Sequence, residues 1–184
     1  MTDSEFDFVI VGSGSAGSIM AARLSEDPSV RVALLEFGGS DRSIFVQMPT
    51  ALSIPMTQEK FNWGYWSDPE PGLDGRVMDC PRGKVLGGSS SINGMAFVRG
   101  CAGDLDQWEA AGAEGWNYAS LLPYYQRMES TGWGDDAYRG RQGAVGVGNG
   151  NNRQMNPLYD AFISAGEQAG YPVSEDYNGY QQEG

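Results

Sequence analysis

No histidine occurs among the 184 residues, and cysteine occurs only twice, at Cys80 and Cys101. Without histidine or a Cys-x-x-Cys pair the common zinc ligand sets are missing, and two isolated cysteines make no disulfide framework. Both are expected as free, buried thiols in a reducing compartment. Lysine is equally scarce: Lys60 and Lys84 stand against ten arginines. The formal charge of −12 points away from nucleic acid, whose binders need basic stripes, and disfavours simple attraction to an anionic membrane. No run of 18 apolar residues occurs, and the acidic start Met1-Thr2-Asp3-Ser4-Glu5 lacks the basic opening of a signal or transit peptide. A soluble, cytoplasmic protein is therefore expected, with peripheral association of a longer protein with the inner membrane left open.

What the chain has in abundance is glycine, 27 residues of it. The apolar run Phe8-Val9-Ile10-Val11 enters Gly12-Ser13-Gly14-Ser15-Ala16-Gly17. Ala16, Ile19, Met20 and Leu24 then recur at helical spacing, Asp27-Pro28 stops the helix, and Val30 to Leu35 reads as a buried strand ending at Glu36. In so glycine-rich a chain the bare spacing is a weak signal. The order strand, glycine turn, helix, strand, acid is a strong one. Gly12 permits the tight turn, Gly14 leaves room for a pyrophosphate, and Gly17 lets helix and strand approach closely. The free N–H groups of the new helix then face the phosphates. Glu36 is placed to accept hydrogen bonds from a ribose, and its charge would repel a 2′-phosphate, which favours FAD or NAD over NADP.

A second glycine-rich block runs from Gly83 to Gly103. Gly87 and Gly88 are expected to expose backbone amides, with Ser89 and Ser90 adding hydroxyl donors. Asn93 can donate and accept, and Gly94 and Ala96 would let the chain approach a flat ring. Between the blocks, residues 38–80 read as irregular, aromatic-rich chain broken by Pro49, Pro55, Pro69 and Pro71. Three helices are expected afterwards. One is capped by Asp104 and ends at Gly112. One carries the stripe Leu121, Leu122, Tyr125 and Met128, with Pro123 in its first turn. The third has Asn156 as cap, Pro157 at its first position, Leu158, Phe162, Ala165 and Ala169 on one face, and Gly170 at its end. A short strand is expected within Gly143 to Val147.

The fingerprint Gly12-x-Gly14-x-x-Gly17, the acid Glu36, Asn62-Trp63-x-Tyr65 and the block from Gly83 to Asp106 together resemble the glucose-methanol-choline (GMC) flavin oxidoreductases over nearly the whole chain. Pro69-Glu70-Pro71, Met78-Asp79-Cys80, Leu122-Pro123-Tyr124-Tyr125 and the closing Asn178 to Gly184 are most similar to the choline-oxidising branch of that family. The resemblance implies an α/β, Rossmann-like FAD-binding domain of GMC type, with residues 1–184 as its incomplete N-terminal portion and the substrate domain mostly beyond Gly184. It implies that Gly12, Gly14, Ser15 and Ala16 hold the pyrophosphate and Glu36 the adenosine ribose. It puts Val85, Gly88 and Ser89 along the cofactor channel, Asn93, Gly94, Met95 and Ala96 against the isoalloxazine ring, and Trp63 nearby. Ile92 stands where some members carry the histidine that attaches flavin, so FAD should be bound non-covalently. Arg139 and Ala144 stand where members often have histidine and proline, which touches only a local loop.

The implied reaction is oxidation of a primary alcohol, choline to betaine aldehyde, with hydride passing to flavin N5 and electrons to a quinone-type carrier. Members of the family are longer and carry their catalytic histidine near the C-terminus. No catalytic residue is therefore expected in this chain, and alone it should be inactive. Three alternatives stand beside this reading: another GMC alcohol dehydrogenase, an NAD-dependent Rossmann enzyme, and a non-catalytic FAD-binding fragment. The sequence does not fix the oligomeric state.

Overall fold

The computed structural model describes residues 5–149 and 156–183, so Met1 to Ser4 of the acidic start and Gly184 lie outside the described residues. The chain forms two compact units, Met1–Ala96 and Phe97–Gly184. Among the described residues no helix is long and apolar enough to cross a membrane.

In the first unit, β1 (Phe8–Val11) and β2 (Val32–Leu35) pair in parallel, Phe8 opposite Val32 and Val11 opposite Leu35, with α1 (Ser15–Leu24) as the crossover. The β-branched run favours the extended backbone of β1. Gly12 turns the chain at φ +91° and donates its N–H to Leu35 O at 2.7 Å. A Cβ on Gly17 would overlap the Gly12 carbonyl and press on Ile10 Cγ2, so this glycine sets how closely α1 lies on β1.

Residues 38–80 contain more order than expected. They form α2 (Ile44–Gln47), a 3-10 turn Pro49–Ala51, α3 (Ser53–Thr57) and an antiparallel pair, β3 (Tyr65–Trp66) with β4 (Asp79–Cys80). The prolines are tolerated because Pro49 opens its turn and Pro55 sits in the first turn of α3, where an N–H has no intrahelical acceptor. The segment is held by packing: Val46 covers a buried cluster of Phe61, Val85 and Ile92.

In the second unit, α4 (Ala102–Ala110) and α5 (Tyr118–Met128) precede a parallel two-residue pair, β5 (Glu129–Ser130) with β6 (Val145–Gly146), and α6 (Leu158–Gln168) follows. Three expectations are corrected. Asp104 is not the cap of α4 but lies inside its first turn, because the helix begins earlier, after Cys101. Pro123 lies in the interior of α5, since Asn117 caps that helix by accepting the Ser120 N–H at 2.8 Å. The stripe Leu121, Leu122, Tyr125 and Met128 is the half-buried side of α5, as expected. α6 begins one residue later than expected, with Pro157 as its cap residue and Leu158 first; Asn156 Oδ1 still accepts the Leu158 N–H at 3.0 Å, and Gly170 closes the end at φ +91°.

The core of this unit is ionic. The side chains of Arg139 and Glu129 are both 0 % exposed, with Arg139 Nε 2.8 Å and Arg99 Nη2 2.9 Å from Glu129 Oε1. Arg139 Nη1 also meets Asp176 Oδ1 at 2.8 Å, and Arg99 Nη1 donates to Tyr138 O at 2.6 Å. Arg139 stacks over the Trp133 ring and Arg99 over that of Tyr125. Arg139, expected to matter only to a local loop, thus stands at the centre of the unit.

Candidate functional site

A cleft of about 650 Å³ opens in the first unit where β1 and β2 end, and Gly12, Gly14, Glu36, Trp63, Gly88 and Ser89 line it. Six of the residues singled out from the sequence therefore meet at one place. Gly14 is the cap residue of α1 in extended conformation. Ser18 N–H returns to Gly14 O at 3.0 Å, which leaves the first-turn N–H groups of Ser15, Ala16 and Gly17 without intrahelical acceptors. Ser15 and Ala16 are exposed at this helix start, outside the cleft lining. A partial positive charge and unpaired donors are thereby collected at the helix start.

Glu36 is fastened to this turn. Its Oε2 accepts both the N–H and the hydroxyl of Ser13 at 2.8 Å, and its Oε1 accepts the Gly38 N–H at 2.7 Å. Partial burial pushes the carboxyl upward, but the donors from Ser13, Gly38 and Phe37 outweigh it and hold Glu36 below the usual carboxylate value. The acid is thus ionised and aimed, with acceptor capacity remaining on Oε1. Ser13, buried and bonded to Glu36, was not singled out from the sequence; a serine inside a glycine turn carries no signal until its partner is known.

The second glycine block joins the same cleft by a different route from the one expected. Its amides are not free: Gly87 N–H donates to Ser13 O at 3.0 Å and Gly88 N–H to Val85 O at 2.7 Å. Ser90 and Ser91 spend their hydroxyls on Gly87 O and Leu86 O. What the block supplies is proximity. A Cβ built on Gly88, at φ +58°, would lie 2.8 Å from Gly14 Cα, and one on Gly83 would overlap the Gly88 carbonyl. Ser89 differs from its neighbours. Its Oγ accepts the Gly83 N–H at 3.0 Å, so its proton is still available to donate.

Trp63 forms one wall of the cleft, 4.9 Å from the Phe37 ring and stacked on Tyr65 at 6.2 Å. Phe37, 79 % exposed, also lines the cleft and was not anticipated. Asn62 fixes the position of Trp63: it is buried, its Nδ2 donates to Met56 O at 2.6 Å, and its Oδ1 accepts from Arg82 and Gly64 N–H. The other predicted residues of the second block lie elsewhere. Val85 is 0 % exposed and packed in the core with Phe61 and Ile92, and its side chain is not part of the cleft lining. Asn93 and Met95 line a separate hollow of about 260 Å³ beside Phe45, Met48 and Leu52. Gly94 and Ala96 are exposed next to them.

A glycine turn locked to an acid, faced by a second glycine-rich turn, matches one family closely. The GMC oxidoreductase model covers residues 6–184. The chain belongs to the GMC oxidoreductase family. Among curated GMC relatives, the oxygen-dependent choline dehydrogenase of Photobacterium profundum is 60 % identical over 99 % of this chain. That of Vibrio vulnificus is 60 % identical over 97 % of it. The chain spans 32 % of the length of each. Among solved structures, pyridoxine 4-oxidase from Mesorbium loti superposes with a TM-score of 0.87 at 36 % identity, over 95 % of this chain and 34 % of that one. Formate oxidase superposes with a TM-score of 0.83 at 29 % identity, over 97 % and 33 %. The fold is therefore the N-terminal part of the α/β, Rossmann-like GMC domain.

Proposed function

We propose that this chain is the cofactor-holding part of an FAD-dependent dehydrogenase that oxidises a small primary alcohol, choline or a close relative, to its aldehyde. The observation that carries the cofactor assignment is Gly14. Its backbone is one that any residue adopts, and a Cβ there would meet nothing in the protein. Packing gives no reason for a glycine, whereas a ligand lying against the helix start does. The surrounding donors and acceptors fit FAD. The first-turn N–H groups of Ser15 and Ala16 would hold the pyrophosphate, and Oε1 of Glu36 a ribose hydroxyl. Trp63 would give an apolar wall, and Ser89 a further donor. The flavin ring would lie against Asn93, Gly94, Met95 and Ala96.

Bound FAD supplies the hydride acceptor for alcohol oxidation. This chain's residues bind and orient it; none is assigned the removal of the hydroxyl proton, and histidine, suited to that task near neutral pH, is absent. Ile92, buried in the core at 4 % exposure, offers no nucleophile, which supports non-covalent attachment. The 60 % identity to choline dehydrogenases supports a choline-like substrate. Their name, oxygen-dependent, supports dioxygen as electron acceptor beside a quinone-type carrier.

The protein that carries this segment should purify with flavin absorbance, bleach when choline is added without oxygen, and release all its flavin on acid precipitation. A colourless protein that takes up no added FAD would overturn the cofactor assignment. Flavin retained in the acid pellet would overturn the non-covalent one, and failure of choline to bleach the flavin would overturn the substrate.

A further inference from the structure

The hollow of about 260 Å³ beside Asn93 and Met95 lies within the first unit and shares no lining residue with the cleft assigned to pyrophosphate and ribose. Phe45, Met48, Leu52 and Met95 give it apolar surface that the unit leaves 38 to 54 % exposed. Several of its polar groups are already spent. Ser90 and Ser91 donate to Gly87 O and Leu86 O, and Asn93 Oδ1 accepts the Met95 N–H at 2.9 Å. Asp41 is the only charged residue in the lining. Its place is fixed: the Ser43 N–H donates to Asp41 O at 2.7 Å, and Gln47, at the end of α2, donates from Nε2 to Asp41 O at 3.2 Å and to Oδ2 at 3.4 Å. These partners are neutral, and Asp41 forms no ion pair among the described residues. The hollow thus holds an unbalanced carboxylate beside an aromatic ring and two thioethers.

That set suits one kind of group. A trimethylammonium head has no N–H to donate, so hydrogen-bond geometry cannot select it. A negative charge and the surfaces of aromatic and thioether groups can. An anion would meet Asp41 with no cation to offset it, and an uncharged alcohol would gain nothing from its charge. The small volume also fits a molecule of few heavy atoms. In choline a single methylene separates the ammonium nitrogen from the carbinol carbon, so a site for the head must adjoin the flavin ring. Asn93 and Met95, proposed above to lie against that ring, line this hollow. We infer that Asp41 and Phe45 bind the quaternary ammonium head of the substrate, with Asp41 deciding between cationic and uncharged alcohols of the same shape. This inference rests on the choline and flavin readings above.

The test uses the full protein that carries this segment. It compares kcat/KM for choline and for the dimethylbutanol in which carbon replaces the ammonium nitrogen. The unsubstituted protein should favour choline through a lower KM. Asp41→Asn, which keeps the size and the acceptor for Gln47, should lower the choline-to-isostere ratio of kcat/KM about tenfold, by raising the choline KM with kcat retained. Asp41→Glu keeps the charge and should restore part of the ratio. Phe45→Ala, a second variant should Asp41→Asn fail to fold, should lower the ratio about threefold, and Phe45→Tyr should return it. Equal losses on both alcohols in Asp41→Asn and Phe45→Ala, or an unchanged ratio in both, overturn the inference alone. An unsubstituted protein that oxidises both alcohols equally, or neither, overturns the choline reading and this inference with it.

Discussion

In the Met1–Ala96 unit the cleft is built where glycines let backbones touch; in the Phe97–Gly184 unit, where Gly140 and Gly143 also allow close approach, arginines meet carboxylates in the interior. Gly17 lies on Gly12, Gly88 on Gly14, and Gly38 against the Lys84–Val85 backbone, so the first unit forms its cleft where side chains are missing. The second buries charged side chains: Arg99, Arg139, Glu129 and Asp176 neutralise one another inside it. A ligand site needs exposed backbone donors, and omitted Cβ atoms provide access to them. An ionic core offers no such opening, but it holds its partners in one arrangement, because any slip strands a charge away from water.

The largest effect expected from breaking this contrast is at Glu129. Glu129→Ala would leave two buried guanidiniums without their shared carboxylate and should destabilise the protein by about 3–5 kcal/mol. Thermal and denaturant unfolding would show it, and a loss under about 1 kcal/mol, the scale of an exposed pair, would mean that water already carries these charges. In the first unit the comparison sharpens between two glycines. Gly88→Ala should strain both a positive φ and the contact with Gly14, costing about 1–3 kcal/mol of stability. Gly14→Ala should leave stability almost unchanged and weaken FAD binding about tenfold, about 1.4 kcal/mol, because its missing Cβ serves only the ligand. Parallel losses of stability in both variants would remove that distinction.

Glu36→Ala should weaken FAD binding by about 1–3 kcal/mol, measured as flavin retention through dialysis. The smallest effect is the acid response of the same residue. Its carboxyl lies below the ordinary value of ~4.3, so the stabilisation it gives is full above that value and lost as pH falls through the folded one. Flavin release should therefore rise only as pH falls below the ordinary carboxylate range, and Glu36→Gln should flatten that rise. An unchanged acid profile in Glu36→Gln would show that other carboxylates govern it.

The sequence was most legible where local chemistry and tertiary demand coincide. The turn at Gly12, the helix from Ser15 and the strand ending before Glu36 follow from periodicity and glycine spacing. The third helix shows likewise in its Asn-Pro start and Gly170 end. Pro123 misled because a proline favours first turns, yet α5 takes its start from the Asn117 cap. Asp104 misled because Cys101 gives no cap signal and the acceptor for Ala102 comes from Gln182, far along the chain.

The sequence alone determined the dinucleotide-type turn, the acid that closes it, and the absence of any histidine to act as base. Glycine spacing and residue inventory are properties of short segments and can be read without a partner. Only the tertiary structure decided that Gly87 and Gly88 spend their amides on the fold, that Ser13 locks Glu36, and that Arg139 lies at the centre of an ionic core. Those outcomes depend on which donor meets which acceptor between segments far apart in the chain, and burial, invisible in a linear string, sets what each unpaired group costs.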